Sequence, residues 1–220
     1  MFSERYLLRL APVLACALFS AVPSRADVTF ASYASWAAAV SGITDVTIPD
    51  PSPDAFIFLG KGDASVTYSG VTFSTQAALS DGNFFNVGPL FSGSPAVLSS
   101  QEQSVGVANI LITLPTAVTA FALNYGYGTF NGSSVTFALS DGFSIAQGST
   151  GSGYNVGSFF GVTSDTAFTS VLVTSADPQG LNLNNVVYGT AAVPEPSAII
   201  LLVMMLGTLG LTFRLSRKRI

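Results

Sequence analysis

The sequence predicts an all-β fold, a two-sheet sandwich with one short N-terminal helix, flanked by a signal peptide and a C-terminal transmembrane helix. The middle of the chain consists of short runs of Val, Thr, Phe, Ile and Tyr, separated by Gly, Asp, Asn, Ser and Pro. This alternation of strand formers and turn formers is typical of antiparallel sheets. A parallel α/β sheet would need helices between its strands, and the pattern offers none.

The predicted helix comes first in this middle part. Ser32 can accept the hydrogen bond that caps a helix, and an Ala-rich segment around Trp36 follows it. Ser41 and Gly42 supply a stop signal. The pattern therefore predicts a helix over residues 32–41.

Ten strands are predicted after the helix. The run from Val118 to Tyr125 alternates cleanly, which places Asn124 and Tyr125 on opposite faces of a strand. The other strand assignments come from β-branched and aromatic residues bounded by turn residues. The predicted strands are Thr44–Ile48, Phe56–Leu59, Ser65–Tyr68, Val71–Thr75, Val105–Leu114, Ala117–Tyr125, Ser134–Leu139, Val156–Val162, Ser170–Thr174 and Asn185–Tyr188.

Charge is distributed unevenly along the chain. Of the eight basic residues, three precede residue 27, four follow residue 213, and only Lys61 lies between. The same middle stretch holds ten acidic residues, which gives it a net charge of −9. Such a surface repels nucleic acid and anionic lipid, so no nucleic-acid partner is expected. With no internal linker, residues 27–191 are predicted to form one domain.

The N-terminus has the three parts of a secretory signal, residues 1–26. Two arginines precede a 13-residue apolar run, and small side chains stand at positions −3 and −1 of a cut between Ala26 and Asp27. Thirteen residues make roughly 20 Å of helix, too short for a hydrocarbon core of about 30 Å. The alternative is a lipoprotein processed at Cys16. As Cys16 is the only cysteine, the exported domain has no thiol, which suits an oxidising compartment.

The C-terminal segment, residues 192–220, has three parts as well. Pro194 and Pro196 hold φ near −65° and favour an extended, accessible segment. The uncharged stretch 198–213 can form about 24 Å of transmembrane helix. A basic cluster then acts as a stop-transfer signal that stays cytoplasmic and leaves the domain outside. This cluster consists of Arg214, Arg217, Lys218 and Arg219.

The residues Val193-Pro194-Glu195-Pro196, with the apolar helix and the Arg-rich end behind them, resemble the PEP-CTERM sorting signal. The same segment is also catalogued as an ice-binding protein C-terminal region. The resemblance implies that an exosortase-type membrane protease recognises Val193 to Pro196, removes the helix, and releases or transfers the protein. It further implies a precursor anchored in the inner membrane, then a place at the cell surface or in an extracellular matrix of exopolysaccharide. The alternative is an ordinary single-pass anchor with two prolines in its linker.

Segments of the middle domain resemble the extracellular domains that accompany this tail, which are jelly rolls, mostly without an assigned activity. Residues 29–40 are similar to their opening helix, and residues 159–171 to a late pair of strands. Residues 183–189 resemble the closing strand, where an L-D-N-V pattern is common. Asn184 stands here in place of that Asp, which weakens any carboxylate role at this position. The resemblance implies that the sandwich is a jelly roll.

One five-residue stretch occurs twice, as Ala78-Leu79-Ser80-Asp81-Gly82 and as Ala138-Leu139-Ser140-Asp141-Gly142. Asp carboxylates and turn carbonyls suit Ca²⁺, so a repeated metal loop is one interpretation. The other is a pair of Asp-Gly turns after similar strands, since Gly readily takes positive φ. We favour the turns and expect no metal site.

The residues for most catalytic chemistry are missing from the chain. Without His there is no Ser-His-Asp or Cys-His triad and no imidazole metal site. Glu102 is the only Glu of the middle domain, and no motif pairs it with one particular Asp. Ice binding would favour a regular Thr array, and no T-x-T occurs. The sequence therefore predicts a protein that is not an enzyme and has no cofactor.

Two functions remain from different classes. The first is a structural or matrix role at the envelope or in the exopolysaccharide. The second is a carbohydrate-binding module whose aromatic side chains stack on sugars, although such aromatics are more often core or loop anchors. The candidate glycan contacts lie in Gly-rich surroundings and are Tyr125, Tyr127, Phe130, Asn131 and Tyr154.

Overall fold

The computed structural model confirms the all-β class. It describes residues 27–50, 57–79, 84–89, 96–101, 107–127, 134–148, 156–175 and 180–192, in which one five-residue helix accompanies twelve strands. The predicted signal peptide and transmembrane helix lie outside these residues. The elements are β1 (Val28–Phe30), α1 (Tyr33–Ala37), β2 (Val40–Asp45), β3 (Ile57–Lys61), β4 (Ser65–Tyr68), β5 (Val71–Ser74), β6 (Phe84–Pro89), β7 (Ala96–Gln101), β8 (Ala108–Tyr127), β9 (Ser134–Leu139), β10 (Ser144–Gly148), β11 (Ser158–Ser175) and β12 (Leu181–Ala191).

All strand pairs are antiparallel and form one hydrogen-bonded network in the order β10-β9-β11-β8-β12-β7-β6-β3. Additional strands join it: β1 pairs with β11, β2 with β12, and β5 with both β4 and β8. The long strands β8 and β11 pair along two separate parts, because the register shifts between Thr163 and Ser170. Residues 108–113 of β8 lie between β5 and the end of β11, whereas residues 118–127 lie beside β12 and the start of β11. Strands that pass from one layer to another through such irregularities form the corners of a sandwich.

The main core receives side chains from both parts of the network. Phe137 of β9 stacks on Phe160 of β11, with ring centroids 3.9 Å apart and planes 7° from parallel. Tyr125 of β8 meets Phe137 edge-on at 5.1 Å. Because Phe137 pairs with the end of β11 and Phe160 belongs to its start, these rings pack two separate parts of the strand network against each other in the main core.

A second, smaller cluster lies on the opposite face of β8. Trp36 of α1 is fully buried there against Ala120, Ala122 and Val187. The strand therefore buries both faces, with large residues toward the main core and small ones beneath the helix. A five-residue helix has little stability of its own, so α1 is held on the sheet by its packing against this second face of β8.

The helix is shorter than predicted. Ser32 caps it as expected, with its Oγ accepting a hydrogen bond from the Ser35 backbone N–H at 3.3 Å. The helix ends at Ala37, and Ser41 and Gly42 lie within β2 rather than in a stop signal. The physical reason is that Val40 and Ser41 pair with β12, and this pairing outweighs local helix propensity. Among the residues described here, no helix is long and apolar enough to cross a membrane.

Candidate functional site

A cavity of about 570 Å³ opens beside α1, where β12 changes partners. Residues Leu181–Leu183 of β12 pair with β7, and pairing with β2 begins only at Val187. Residues 184–186 lie between these two ladders and form one wall of the cavity. The segment 45–48, which follows β2, forms another wall.

A bulge in β12 shapes this wall. Asn184 is opposite Asn124 and Val187 is opposite Ala122, so β12 has one more residue than β8 between these pairs. Asn185 takes φ of +49°, a left-handed conformation that Asn tolerates better than most residues. The Val46 N–H donates to the Val186 carbonyl at 2.9 Å and ties the bulge to the segment after β2. Bulges of this kind redirect side chains next to binding sites.

Two amides face each other across the strands at the cavity. Asn124 and Asn184 are direct partners in the register, and both line the cavity. Asn184 is 4% exposed, and its Oδ1 has no hydrogen-bond partner within the described structure. A buried oxygen left without a donor costs about 1–3 kcal/mol. This atom is thus an acceptor that its surroundings leave without a donor.

Tyr33 supplies an aromatic ring to the cavity from α1. Its ring centroid lies 6.0 Å from that of Trp36 and 6.5 Å from that of Phe159, the latter in an edge-on arrangement. About half of the Tyr33 side chain stays exposed. The ring is therefore held in place by two aromatic neighbours while part of its surface is open to a ligand.

The lining is almost uncharged. Of the described residues that surround the cavity, Asp45 alone carries a charge, and it is exposed. The apolar side comprises Val46, Ile48, Ala96 and Val186. Within the described ranges there is no group of three or more acidic, Cys or His side chains that could hold a metal ion. The described lining thus offers amides, one carboxylate, the Thr47 hydroxyl, one phenol ring and aliphatic walls.

The structure corrects one predicted glycan contact. Tyr125 is 1% exposed, and its hydroxyl donates to the Gly148 carbonyl at 2.8 Å, so it is a core residue with no ring face open to a sugar. Tyr127 ends β8, where its side chain is not described. Phe130, Asn131 and Tyr154 lie outside the described residues, and their role stays a prediction.

The second copy of the repeated stretch forms a turn. The Asp141 carboxylate accepts the Phe143 N–H at 2.9 Å and the Ser164 hydroxyl at 2.7 Å, and Gly142 has φ of +103°. One carboxylate oxygen thus serves the β9–β10 hairpin and the other ties it to β11, which agrees with the turn interpretation. The first copy extends into residues 80–82, outside the described part of the chain.

The cavity was not identified from the sequence. Its residues come from segments around positions 33, 45–48, 96, 124 and 184–187, which no local pattern brings together. One signal was present: Asn184 stands in place of the Asp of the closing-strand L-D-N-V pattern, and Asn185 is the Asn of that pattern. The predicted processing residues, Ala26 with Asp27 and Val193 to Pro196, lie at or beyond the edges of the described structure, as does the stop-transfer cluster.

Comparison with known proteins identifies the C-terminal segment. Residues 192–218 match the model of the PEP-CTERM protein-sorting motif, so the chain carries this motif. No curated protein matches the chain.

Among solved structures, family 29 carbohydrate-binding modules are similar to the chain. One is 9% identical and covers 62% of this chain and 94% of its own, with a TM-score of 0.37. A second is 12% identical and covers 64% and 99%, with a TM-score of 0.37. A third, complexed with mannohexaose, is 9% identical and covers 62% and 93%, with a TM-score of 0.37. A likeness this loose carries no functional weight.

Proposed function

We propose that the chain is an exported cell-surface or exopolysaccharide-associated protein with a non-enzymatic, structural role, whose precursor is cut by an exosortase-type membrane protease. The observation that carries this proposal is the PEP-CTERM protein-sorting motif at residues 192–218. Such a motif directs export and sorting through a membrane-anchored precursor.

The two ends of the chain support the same route. A signal peptide at residues 1–26 would start export through the inner membrane. The helix 198–213 and the basic residues after it would stop transfer with the C-terminus in the cytoplasm. Both features would put the domain 27–191 outside and leave Val193 to Pro196 next to the membrane, within reach of a membrane protease.

The composition of the domain supports a location outside the cytoplasm. It contains no Cys, so oxidation can neither crosslink nor damage a thiol. Its charge of −9 opposes nonspecific attachment to anionic lipid after release. An antiparallel β network with a large aromatic core needs neither disulfide nor cofactor to bury its apolar side chains.

A non-enzymatic role is supported by the residues available for chemistry. The chain has no His, and among the described residues that line the cavity Asp45 is the single carboxylate, so these residues supply no acid–base pair. Glycoside hydrolysis in its usual form needs two carboxyl groups at a defined separation. The cavity is therefore better suited to binding than to hydrolysis.

The test is the fate of the C-terminus in a host that has the protease. We expect protein from the cell surface or matrix to end near Pro194 to Pro196, by mass spectrometry of its C-terminal peptide. In a host that lacks the protease, protein ending at Ile220 should accumulate in the inner membrane. Surface protein that keeps Ile220 in the first host would overturn the proposal and leave a plain single-pass membrane protein.

A further inference from the structure

We propose that the cavity beside α1 binds a sugar unit of a neutral oligosaccharide, with the amides of Asn124 and Asn184 hydrogen-bonded to its hydroxyls and the Tyr33 ring against its C–H face. The proposal concerns a site other than the predicted aromatic platform, the name used here for the candidate glycan contacts Tyr125, Tyr127, Phe130, Asn131 and Tyr154. It does not depend on how the C-terminus is processed.

The Asn side-chain amides fit a ligand that both donates and accepts hydrogen bonds. Each Asn side chain offers one carbonyl acceptor and two N–H donors, and a sugar hydroxyl needs both kinds of partner. Asn124 and Asn184 stand opposite each other on paired strands, while Asn185 follows at the bulge. Three amides on one wall match neighbouring hydroxyls better than they match an apolar ligand, which offers them no hydrogen bond.

Asn184 is the sharpest indication of a missing partner. It is 96% buried, yet its Oδ1 receives no hydrogen bond within the described structure. Buried side-chain oxygens without a partner are uncommon in folded proteins, and each one calls for a reason. The Oδ1 has almost no accessible surface, so a ligand hydroxyl in the cavity would donate to it once the Asn184 amide turns toward the cavity.

The aromatic and aliphatic parts of the cavity fit the less polar faces of a sugar ring. Tyr33 has 49% of its surface exposed, and Trp36 and Phe159 hold its ring. Val46 and Ile48 contribute apolar surface on the segment after β2. A cavity that combines apolar walls with a few convergent polar groups, at about 570 Å³, has the usual make-up and size of a ligand site.

The charges favour a neutral ligand. The described part of the lining includes no Lys or Arg, and Asp45 would repel an acidic sugar at short range. Ca²⁺ takes six to eight oxygen ligands, commonly from several carboxylates. The single exposed carboxylate of Asp45 would therefore bind Ca²⁺ only weakly. An uncharged hydroxyl-rich molecule avoids both difficulties.

The wall is built on strands and is therefore organised before binding. Asn184 is held by the ladder with β8, and Val186 by its bond to the Val46 N–H at 2.9 Å. Asn185 keeps its positive φ because the bulge is fixed on both sides. Side chains placed this way lose little freedom when a ligand binds, which favours affinity.

The test is a glycan array of neutral and uronic-acid oligosaccharides, probed with the full chain in a detergent that has no sugar headgroup. We expect binding to at least one neutral oligosaccharide and weaker binding to the acidic ones. Titration calorimetry on the neutral ligand should then show that Tyr33→Ala and Asn124→Ala each lower the affinity at least tenfold. Tyr33→Phe should stay within about threefold, because the ring is kept.

The matched control is Phe58→Ala. Phe58 is 56% exposed on β3, where its ring packs against Phe84 and not against the cavity. This variant should bind like the wild type. The proposal is overturned if no neutral oligosaccharide binds, or if Tyr33→Ala binds as tightly as Phe58→Ala. Loss of binding in Tyr127→Ala alone would likewise overturn it and favour the aromatic platform.

Discussion

The indole Nε1 of Trp36 donates a hydrogen bond to the backbone carbonyl of Val162 at 3.1 Å, and the two residues are 126 positions apart in the chain. Gly161, next to Val162, lies under the same ring: a Cβ at this position would stand 2.8 Å from Trp36 Cδ1. The helix α1 therefore rests on the sheet through one buried indole, and the sheet has a glycine where that indole needs space. Tyr33, at the cavity, is placed by the same helix.

The space above Gly161 gives the first prediction. Gly161→Ala forces the Cβ into Trp36 and into Phe159, also 2.8 Å away, and should lower the free energy of unfolding by roughly 1–3 kcal/mol. Gly148→Ala is the matched control, because a Cβ there meets nothing within 4 Å. Urea unfolding should show a lower midpoint for the first variant alone. Equal midpoints for both would contradict the close packing of the helix.

Strands with both strong propensity and a defined turn were predictable. Ser65–Tyr68 and Ser134–Leu139 are confirmed with their bounds, since each alternates and ends at a turn with positive φ, at Gly70 and Gly142 respectively. Two predicted breaks are absent: β8 and β11 each run through what the pattern divided into two strands. Pro115 lies within β8, and pairing with β11 skips from Thr113 to Val118, so the strand needs no N–H there.

Other strands depend on their neighbours and could not be found locally. Val28–Phe30 has only three residues, Phe84–Pro89 contains Asn, Gly and Pro, and Ala96–Gln101 and Ser144–Gly148 are mostly small or polar. These segments are extended because an adjacent strand pairs with them, which is a tertiary effect. The cavity is missed for the same reason, since its walls come from distant segments.

Tyr125 gives a second prediction, and it separates a core role from a glycan role. Tyr125→Phe removes only the hydroxyl that bonds to the Gly148 carbonyl, so stability should fall by about 0.5–1.5 kcal/mol. Binding of any neutral glycan should not change, because the ring is buried. Thermal unfolding and glycan titration of the same sample measure both effects. If Tyr125→Phe weakened glycan binding without changing stability, Tyr125 would be a glycan contact as the sequence predicted.

The Asp141 turn gives a third prediction. Asp141→Ala removes the acceptor of the Phe143 N–H and of the Ser164 hydroxyl, at an expected cost of about 1–2 kcal/mol. Asp141→Asn keeps one carbonyl oxygen and should cost less. Because the carboxylate serves the hairpin, we also expect far-UV circular dichroism to be unchanged by EDTA. A large loss of β signal on chelation would revive the calcium interpretation of Asp81 and Asp141.

Export gives a fourth prediction. If residues 1–26 are a signal peptide, the mature protein begins at Asp27, just before β1 at Val28. N-terminal sequencing of protein from the envelope or the medium decides this. A start at Met1 would contradict cleavage, and a lipidated Cys16 would support the lipoprotein alternative instead. Ala26→Phe, which places a large side chain at position −1, should block the cut and keep the precursor in the membrane.

The last prediction concerns Pro194, Glu195 and Pro196, within the matched sorting motif. A rigid, extended segment is unnecessary before a simple anchor, because any flexible linker would serve. It is useful to a membrane protease, which needs an exposed chain at a fixed distance from the bilayer. Glu195→Ala, or both prolines changed to Ala, should leave insertion intact, because neither the apolar stretch nor the basic cluster is altered.

Processing should nevertheless fail in these variants, and uncut precursor should accumulate in the inner membrane. Mass spectrometry of the C-terminal peptide, compared between wild type and variants after fractionation, measures this. Ser197→Ala is the matched control, because it changes a neighbouring residue outside Val193 to Pro196 and should be cut like the wild type. If Glu195→Ala and the proline variant are both cut like Ser197→Ala, the protease does not recognise Pro194, Glu195 and Pro196. The basic cluster and helix would then carry the signal, and Arg217→Ala with Lys218→Ala would be the variant that blocks release.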